Sequence, residues 1–331
     1  MSGHIPVMLP EVLSALKPSD GETYIDGTFG GGGYTRAILA SAACKVLGID
    51  RDETAIARAI DQRNDHPGLE PLLGCFGDMD TLAKAAGYSS VDGVVLDLGV
   101  SSFQLDQAER GFSFMRDGPL DMRMGSDGPS AADVVNLMSE KDIAAIIFRL
   151  GEEKQSRRIA RAIVRARADT PFSTTLQLAD LIETELGGRR GSKIHPATRT
   201  FQAIRIYVND ELGELARGMC AAESILSEGG RLVVVTFHSL EDRMVKAFLR
   251  SRAGLGGSGS RHTPERETGP SPSFTLLTRK ALSASQDEAG INPRSRSARL
   301  RFGVRTAAPA FPADNDRVFD LPPLSDLERA A

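Results

Sequence analysis

No stretch of this 331-residue chain approaches the roughly 18 apolar residues of a membrane span. The opening Met1-Ser2-Gly3-His4-Ile5-Pro6 has neither the basic nor the apolar segment of a secretory signal. Cysteine is scarce: Cys44, Cys75 and Cys220 are scattered without metal-ligand spacing, and are expected as reduced, buried thiols in a cytoplasmic protein. Internal repeats are absent. Positive charge is not in excess, and a net charge of −4 argues against a general nucleic-acid binder while leaving room for a local basic surface. What remains, 41% hydrophobic and 25% charged, describes an ordinary soluble protein with two domains or one enlarged one.

Two further absences narrow the cofactor. The dinucleotide fingerprint Gly-x-Gly-x-x-Gly cannot be laid on Gly30–Gly33, because Thr35 or Arg36 falls on its last position. No Gly-Lys-Ser/Thr follows the glycines either, which excludes a P-loop. What is present is an apolar run, Tyr24-Ile25, ending in Asp26, then a turn through four consecutive glycines into Ala37-Ile38-Leu39-Ala40. That is strand, tight turn and helix, the first βα unit of a nucleotide-cofactor domain, where glycine lets a ligand approach the backbone. The next strand, Lys45–Ile49, ends at Asp50, about 20 residues beyond the turn, where an acidic side chain can accept from ribose hydroxyls. A ribose-bearing cofactor without a pyrophosphate fits, and S-adenosylmethionine is the obvious one.

The α/β rhythm continues through Leu69–Phe76 to the buried-strand run Val91–Leu98, which delivers Asp97 near its carboxyl end. Ligands of open α/β sheets bind at that edge, so Gly30–Gly33, Asp50, Phe76 and Asp97 are expected to converge there. From Phe103 to about Arg205 helical stretches replace strands: Ala131–Met138, Lys141–Leu150, Arg157–Arg167 and Leu176–Leu186. A helix over Glu211–Leu226, a strand over Arg231–Phe237 and a helix over Leu240–Arg250 restore the pattern, and Phe274–Lys280 with Ser297–Val304 suggest a closing antiparallel pair. The expected organisation is a first α/β part over 1–104, an inserted helical domain over 105–208, a second α/β part over 209–305 and a poorly ordered tail over 306–331. Residues 253–272, rich in Gly, Ser and Pro, are expected as a mobile loop.

Several blocks are family signatures. They include His4-x-Pro6-Val7-Met8, Ile25-Asp26-Gly27-Thr28-Phe29-Gly30, Leu96-Asp97-Leu98-Gly99-Val100-Ser101-Ser102, Pro119-Leu120-Asp121-Met122-Arg123-Met124, His195-Pro196-Ala197-Thr198-Arg199, Phe237-His238-Ser239-Leu240-Glu241-Asp242-Arg243 and Asn292-Pro293-Arg294-Ser295-Arg296-Ser297. From His4 to about Arg305 the chain resembles the RsmH (MraW) family of bacterial 16S rRNA cytosine-N4 methyltransferases. The resemblance implies a class I methyltransferase fold, Rossmann-like with a mostly parallel sheet and an inserted all-helical domain. It also implies S-adenosylmethionine as donor and a cytidine of 16S rRNA in the small ribosomal subunit as acceptor, with no membrane partner. The family's cofactor contacts would fall on Gly32, Gly33, Tyr34, Asp50, Phe76, Asp97 and Gln104. Relatives often carry histidine at the position of Tyr34, where only a backbone contact survives the exchange.

Asp97 is the expected chemical centre, facing cofactor, target amine or both. The Asp-Pro-Pro-Tyr signature common to amino-methylating enzymes of this fold is missing, so the amine is recognised differently. Ser101 and Ser102 either accept N–H bonds or cap the next helix. His195, Arg199 and Arg205, with Gln202 and Asn209, form either a polar network or an RNA contact. His238 and Arg243 open a helix at the same edge, where Ser239 and Asp242 approximate a capping box. No metal site is expected from His195 and His238. Arginines crowd two places, Arg157–Arg167 and Arg294–Arg305, as a surface for structured RNA would. Phe112 and Phe114 are either stacking platforms or buried core. An NAD-dependent oxidoreductase and a non-catalytic ribosome assembly factor are the rival readings.

Overall fold

The computed structural model describes residues 6–100, 102–125, 127–189, 194–255 and 270–312. Its described residues divide into two compact units, one built from 6–99 and 213–312, the other from Val100–Leu212. The division falls at 99/100 and 212/213, against the expected 104/105 and 208/209.

The first unit is an α/β layer. Its sheet contains β1 (Thr23–Asp26), β2 (Lys45–Asp50), β3 (Leu69–Leu73), β4 (Val91–Asp97), β5 (Leu226–Thr236), β6 (Phe274–Thr275), β7 (Leu282–Ser283) and β8 (Arg299–Arg305), in the order β3-β2-β1-β4-β5-β8-β6, with β7 also on β8. The first five strands run parallel, and β8 returns antiparallel to β5. Because side chains alternate across a sheet, the central apolar runs feed two cores. Ile25, Leu47, Val94, Leu96, Leu232 and Val234 face one side; Tyr24, Val46, Val95, Val233 and Val235 face the other. The helices of this unit are α1 (Leu9–Leu16), α2 (Gly33–Ser41), α3 (Glu53–Gln62), α4 (Met79–Ala85), most of α11 (Glu211–Ile225), α12 (Ser239–Arg252) and α13 (Gln286–Ile291).

The second unit is helical: α5 (Ser102–Asp106), α6 (Ala131–Leu137), α7 (Glu140–Gly151), α8 (Ser156–Asp169), α9 (Thr175–Leu186) and α10 (Thr198–Val208). Local chemistry sets its boundaries. Ser130 with Asp133 and Thr174 with Gln177 form capping boxes at α6 and α9, and Ser139 caps α7. The helices α7 and α10 pack so closely that a Cβ on Gly151 would lie 2.5 Å from the Arg199 carbonyl oxygen.

Four expectations change. β5 starts at Leu226, five residues earlier than expected, because the chain pairs at Val91, bulges through Ser227–Gly230 and pairs again from Arg231. Of Phe274–Lys280 only Phe274 and Thr275 form a strand, although the antiparallel pairing with the last strand is as expected. The cysteines are free but half-buried rather than buried. The start of the tail is fixed: Arg305 donates to the carbonyls of Thr306 and Ala308, and the Phe311 N–H donates to Glu223. Residues 256–269 of the expected loop, and the tail from residue 313, lie outside the described residues. Among the described residues no helix is long and apolar enough to cross a membrane.

Candidate active site

β1, β2 and β4 are parallel, so Asp26, Asp50 and Asp97 end at one edge of the sheet. The segment after β1 is sewn across its neighbours. The Gly27 N–H donates to the Val95 carbonyl and the Phe29 N–H to the Ile49 carbonyl, both at 3.0 Å. Gly30 and Gly32 take φ of 52° and 72°, the left-handed region that disfavours a side chain. At Gly32 a Cβ would also lie 2.6 Å from Gln62 Oε1 and 2.7 Å from the Phe29 ring. The turn is therefore built for bare backbone, and it hands the chain directly to α2.

Each carboxylate of this edge is held differently. Asp26 is fully buried; its Oδ2 accepts from the Thr35 hydroxyl at 2.7 Å and its Oδ1 from the Thr28 N–H at 3.3 Å, yet burial pushes its pKa up to about 6. Asp50 clamps the glycine turn, accepting from the Gly30 N–H at 2.7 Å and the Asp52 N–H at 2.9 Å, and burial raises its pKa as well. Asp97 donates its own N–H to Thr28 Oγ1 at 2.7 Å, while its buried Oδ1 has no hydrogen-bond partner among the described residues. Burial first, then the charges of Asp26 and Glu241, hold the Asp97 carboxyl well above the usual range. Unsatisfied buried acceptors without a balancing cation are costly. A ligand that brings hydroxyl donors or positive charge to this edge relieves that cost.

Side chains around the turn divide into those that face a ligand and those that hold the frame. The Tyr34 hydroxyl donates to the Val7 carbonyl inside the core, so Tyr34 can offer a ligand at the turn only its backbone. Phe76 opens a short turn after β3 whose Gly77 N–H donates to Glu214 Oε1 of α11 at 2.6 Å. A Cβ on Gly218, one helical turn on, would lie 2.4 Å from the Phe76 ring. The α12 cap is shifted by one residue from the expected Ser239/Asp242 pair. His238 is the N-cap: its Nδ1 accepts from the Glu241 N–H, and Glu241 Oε2 accepts from the Phe237 and His238 N–H groups at 2.7 and 3.2 Å. His238 Nε2 lies 3.0 Å from Glu241 Oε1, a close contact not aligned as a hydrogen bond. Arg243 is exposed on α12.

A family model described as the MraW methylase family matches residues 1–306. The chain belongs to the MraW methylase family. It is 65% identical over 328 residues to the ribosomal RNA small subunit methyltransferase H of Hyphomonas neptunium, covering 99% of this chain and 96% of that protein. The proteins of the same name from Parvibaculum lavamentivorans and Maricaulis maris are 60% and 56% identical, covering 95% and 99% of this chain and 92% and 98% of theirs.

Within this MraW-family chain the second unit holds the remaining expected site residues. Gln104 is buried on α5, Ser102 opens that helix, and Ser101 lies outside the described residues, as does His4. Both His195 ring nitrogens are engaged, one accepting from the Ala197 N–H at 3.1 Å and the other 3.1 Å from Glu183, while Phe114 packs on the ring at 4.6 Å. Arg205 makes a two-pronged pair with Glu211 at 2.7 and 2.8 Å. Asn209 ties Met122 and Met124 to the end of α10. Arg199 is exposed, 3.7 Å from Glu153. Phe112 is buried, the core alternative, while Phe114 is half-buried and packs edge-on against Phe201.

The arginine clusters also resolve into separate roles. On α8, Arg158 and Arg165 share Glu185, and Arg167 donates to the Val135 carbonyl. On β8, Arg305 is buried and Arg301 is paired with Asp242. Asp26 and Glu214 were not selected from sequence. Asp26 carries the same signal as Asp97, a carboxylate closing an apolar strand; Glu214 carries none, because its partner lies 137 residues away.

Proposed function

We propose that this chain transfers a methyl group from S-adenosylmethionine to the N4 amine of a cytidine in the 16S rRNA of the small ribosomal subunit, in the cytoplasm. The observation that carries this reading is Asp97, whose buried Oδ1 has no hydrogen-bond partner among the described residues, beside a turn of bare backbone. The residues fit the cofactor: the Gly30–Gly33 backbone admits close approach, Asp50 keeps lone pairs for ribose hydroxyls, and Phe76 offers a ring face to an adenine. When bound, S-adenosylmethionine supplies an electrophilic methyl on a sulfonium. Asp97 then accepts an N–H of the cofactor's ammonium or of the cytosine amine, and its charge becomes worth keeping beside a cation. Orientation of the amine is the chain's main task, because the amine becomes acidic once methylated and needs no strong base.

Titrating S-adenosylhomocysteine into the protein and into Asp97→Asn tests the carboxylate's part. Loss of a charged hydrogen bond predicts roughly a 10- to 150-fold weaker complex. Equal affinity of the two proteins would exclude the cofactor contact and leave Asp97 to the cytosine amine alone.

A further inference from the structure

One basic surface of the first unit takes no part in the carboxyl-edge site. The second half of α12, the segment Leu276–Lys280 between β6 and β7, and β8 enclose a shallow groove. Lys246, Arg250, Arg279, Lys280 and Arg301 line it together with Phe302, and among the described residues no carboxylate does. Arg301 is held by Asp242 at 2.7 and 3.0 Å, which fixes that wall. One Arg250 nitrogen donates to the Leu255 carbonyl at 3.1 Å. Lys246, Arg279 and Lys280 are exposed and make no ion pair with any described residue. A run of charge on one helix is usually a solvated face. Here three segments far apart in sequence bring cations to one groove in a chain whose net charge is −4, and their mutual repulsion favours a polyanion between them.

We propose that this groove holds the phosphate backbone of the RNA substrate. The proposal rests on the RNA methyltransferase reading and adds a surface to it. Lysine and arginine around a hydroxyl, Thr278, suit phosphate oxygens, which position a nucleic acid without reading its sequence. Lys246 lies seven residues into α12, about 10 Å along the axis from the helix start at the carboxyl edge. A strand whose target base enters that edge reaches the groove with neighbouring nucleotides.

The test compares the full chain with the double variant K246E/K280E and with the neutral K246Q/K280Q, all at exposed positions. Binding to small subunits lacking the modification is measured across salt, alongside KM for subunits and S-adenosylhomocysteine affinity. The groove predicts a salt slope lower by about 1 for each phosphate no longer neutralised, so about 2 for either pair. It also predicts a KM raised about tenfold or more for the reversal, with a smaller rise for the neutral pair. Cofactor affinity stays within about twofold, which separates weakened RNA binding from a damaged fold. An unchanged salt slope and KM overturn the proposal, and so does loss of binding to polyglutamate alone, which would assign the groove to an acidic protein. If the wild-type chain methylates nothing, the enzymatic reading fails, and the salt slopes alone still decide the groove.

Discussion

Asp26→Asn should stabilise the free protein near neutral pH, although it removes a charged group from the site. The Asp26 carboxyl is fully buried and its pKa stands at about 6 instead of 3.8, with burial as the main cause. The folded state therefore holds this proton more tightly than the unfolded chain. The favourable contribution of protonation is complete below about pH 4 and disappears as pH rises through about 6. The full difference is about 3 kcal/mol, of which about 2 kcal/mol separates pH 4.5 from pH 7.5. Asparagine does not titrate, and the Thr35 hydroxyl can accept from its amide instead of donating. Melting wild type and variant at both pH values isolates the effect as a difference of differences. For a folding unit of about 200 residues the variant's advantage should grow by about 4–8 °C from the lower to the higher pH. Removing the charge also relieves Asp97, which feels Asp26, so the gain can only widen. A pH-independent difference, or an advantage that grows toward acid, would refute the reasoning.

Gly32→Ala meets both a left-handed φ and two contacts under 3 Å. It should cost about 1–3 kcal/mol by thermal melts and abolish most S-adenosylhomocysteine binding in a calorimetric titration. Glu214→Ala leaves the Gly77 N–H unpaired and should raise KM for the cofactor, a loss of about 1–3 kcal/mol, while leaving KM for subunits unchanged; Glu214→Gln should restore most of it. Glu223→Ala strips Arg252 of its buried partner at 3.0 Å and Ser273 of its acceptor, and should cost about 3–5 kcal/mol in denaturant titration.

The parallel core was legible because its strands are unbroken apolar runs, and the insertion helices α6, α7 and α9 because each begins at a strong cap. Predicted and observed helices differ by one or two residues at α6 through α9. The early start of β5 was hidden by Gly229 and Gly230, which read as a turn and instead form a bulge. The α12 cap was read one residue late because serine is a commoner cap than histidine, and only the structure shows Glu241 reaching back. Charge clusters were the least legible. A sequence places arginines near one another but does not show that Glu185, Asp242 or the Ala308 carbonyl already occupies them. The groove escaped for the converse reason, since Lys246, the Arg279–Lys280 pair and Arg301 lie on segments far apart along the chain.

The central claim is tested most directly by incubating the purified protein with isotopically labelled S-adenosylmethionine and small subunits from cells lacking its gene. The RNA is then digested and the labelled nucleosides are identified by mass spectrometry. Label is expected in N4-methylcytidine, and its loss with Asp97→Ala. Label in another nucleoside, or none from a protein that binds S-adenosylhomocysteine tightly, would contradict the claim.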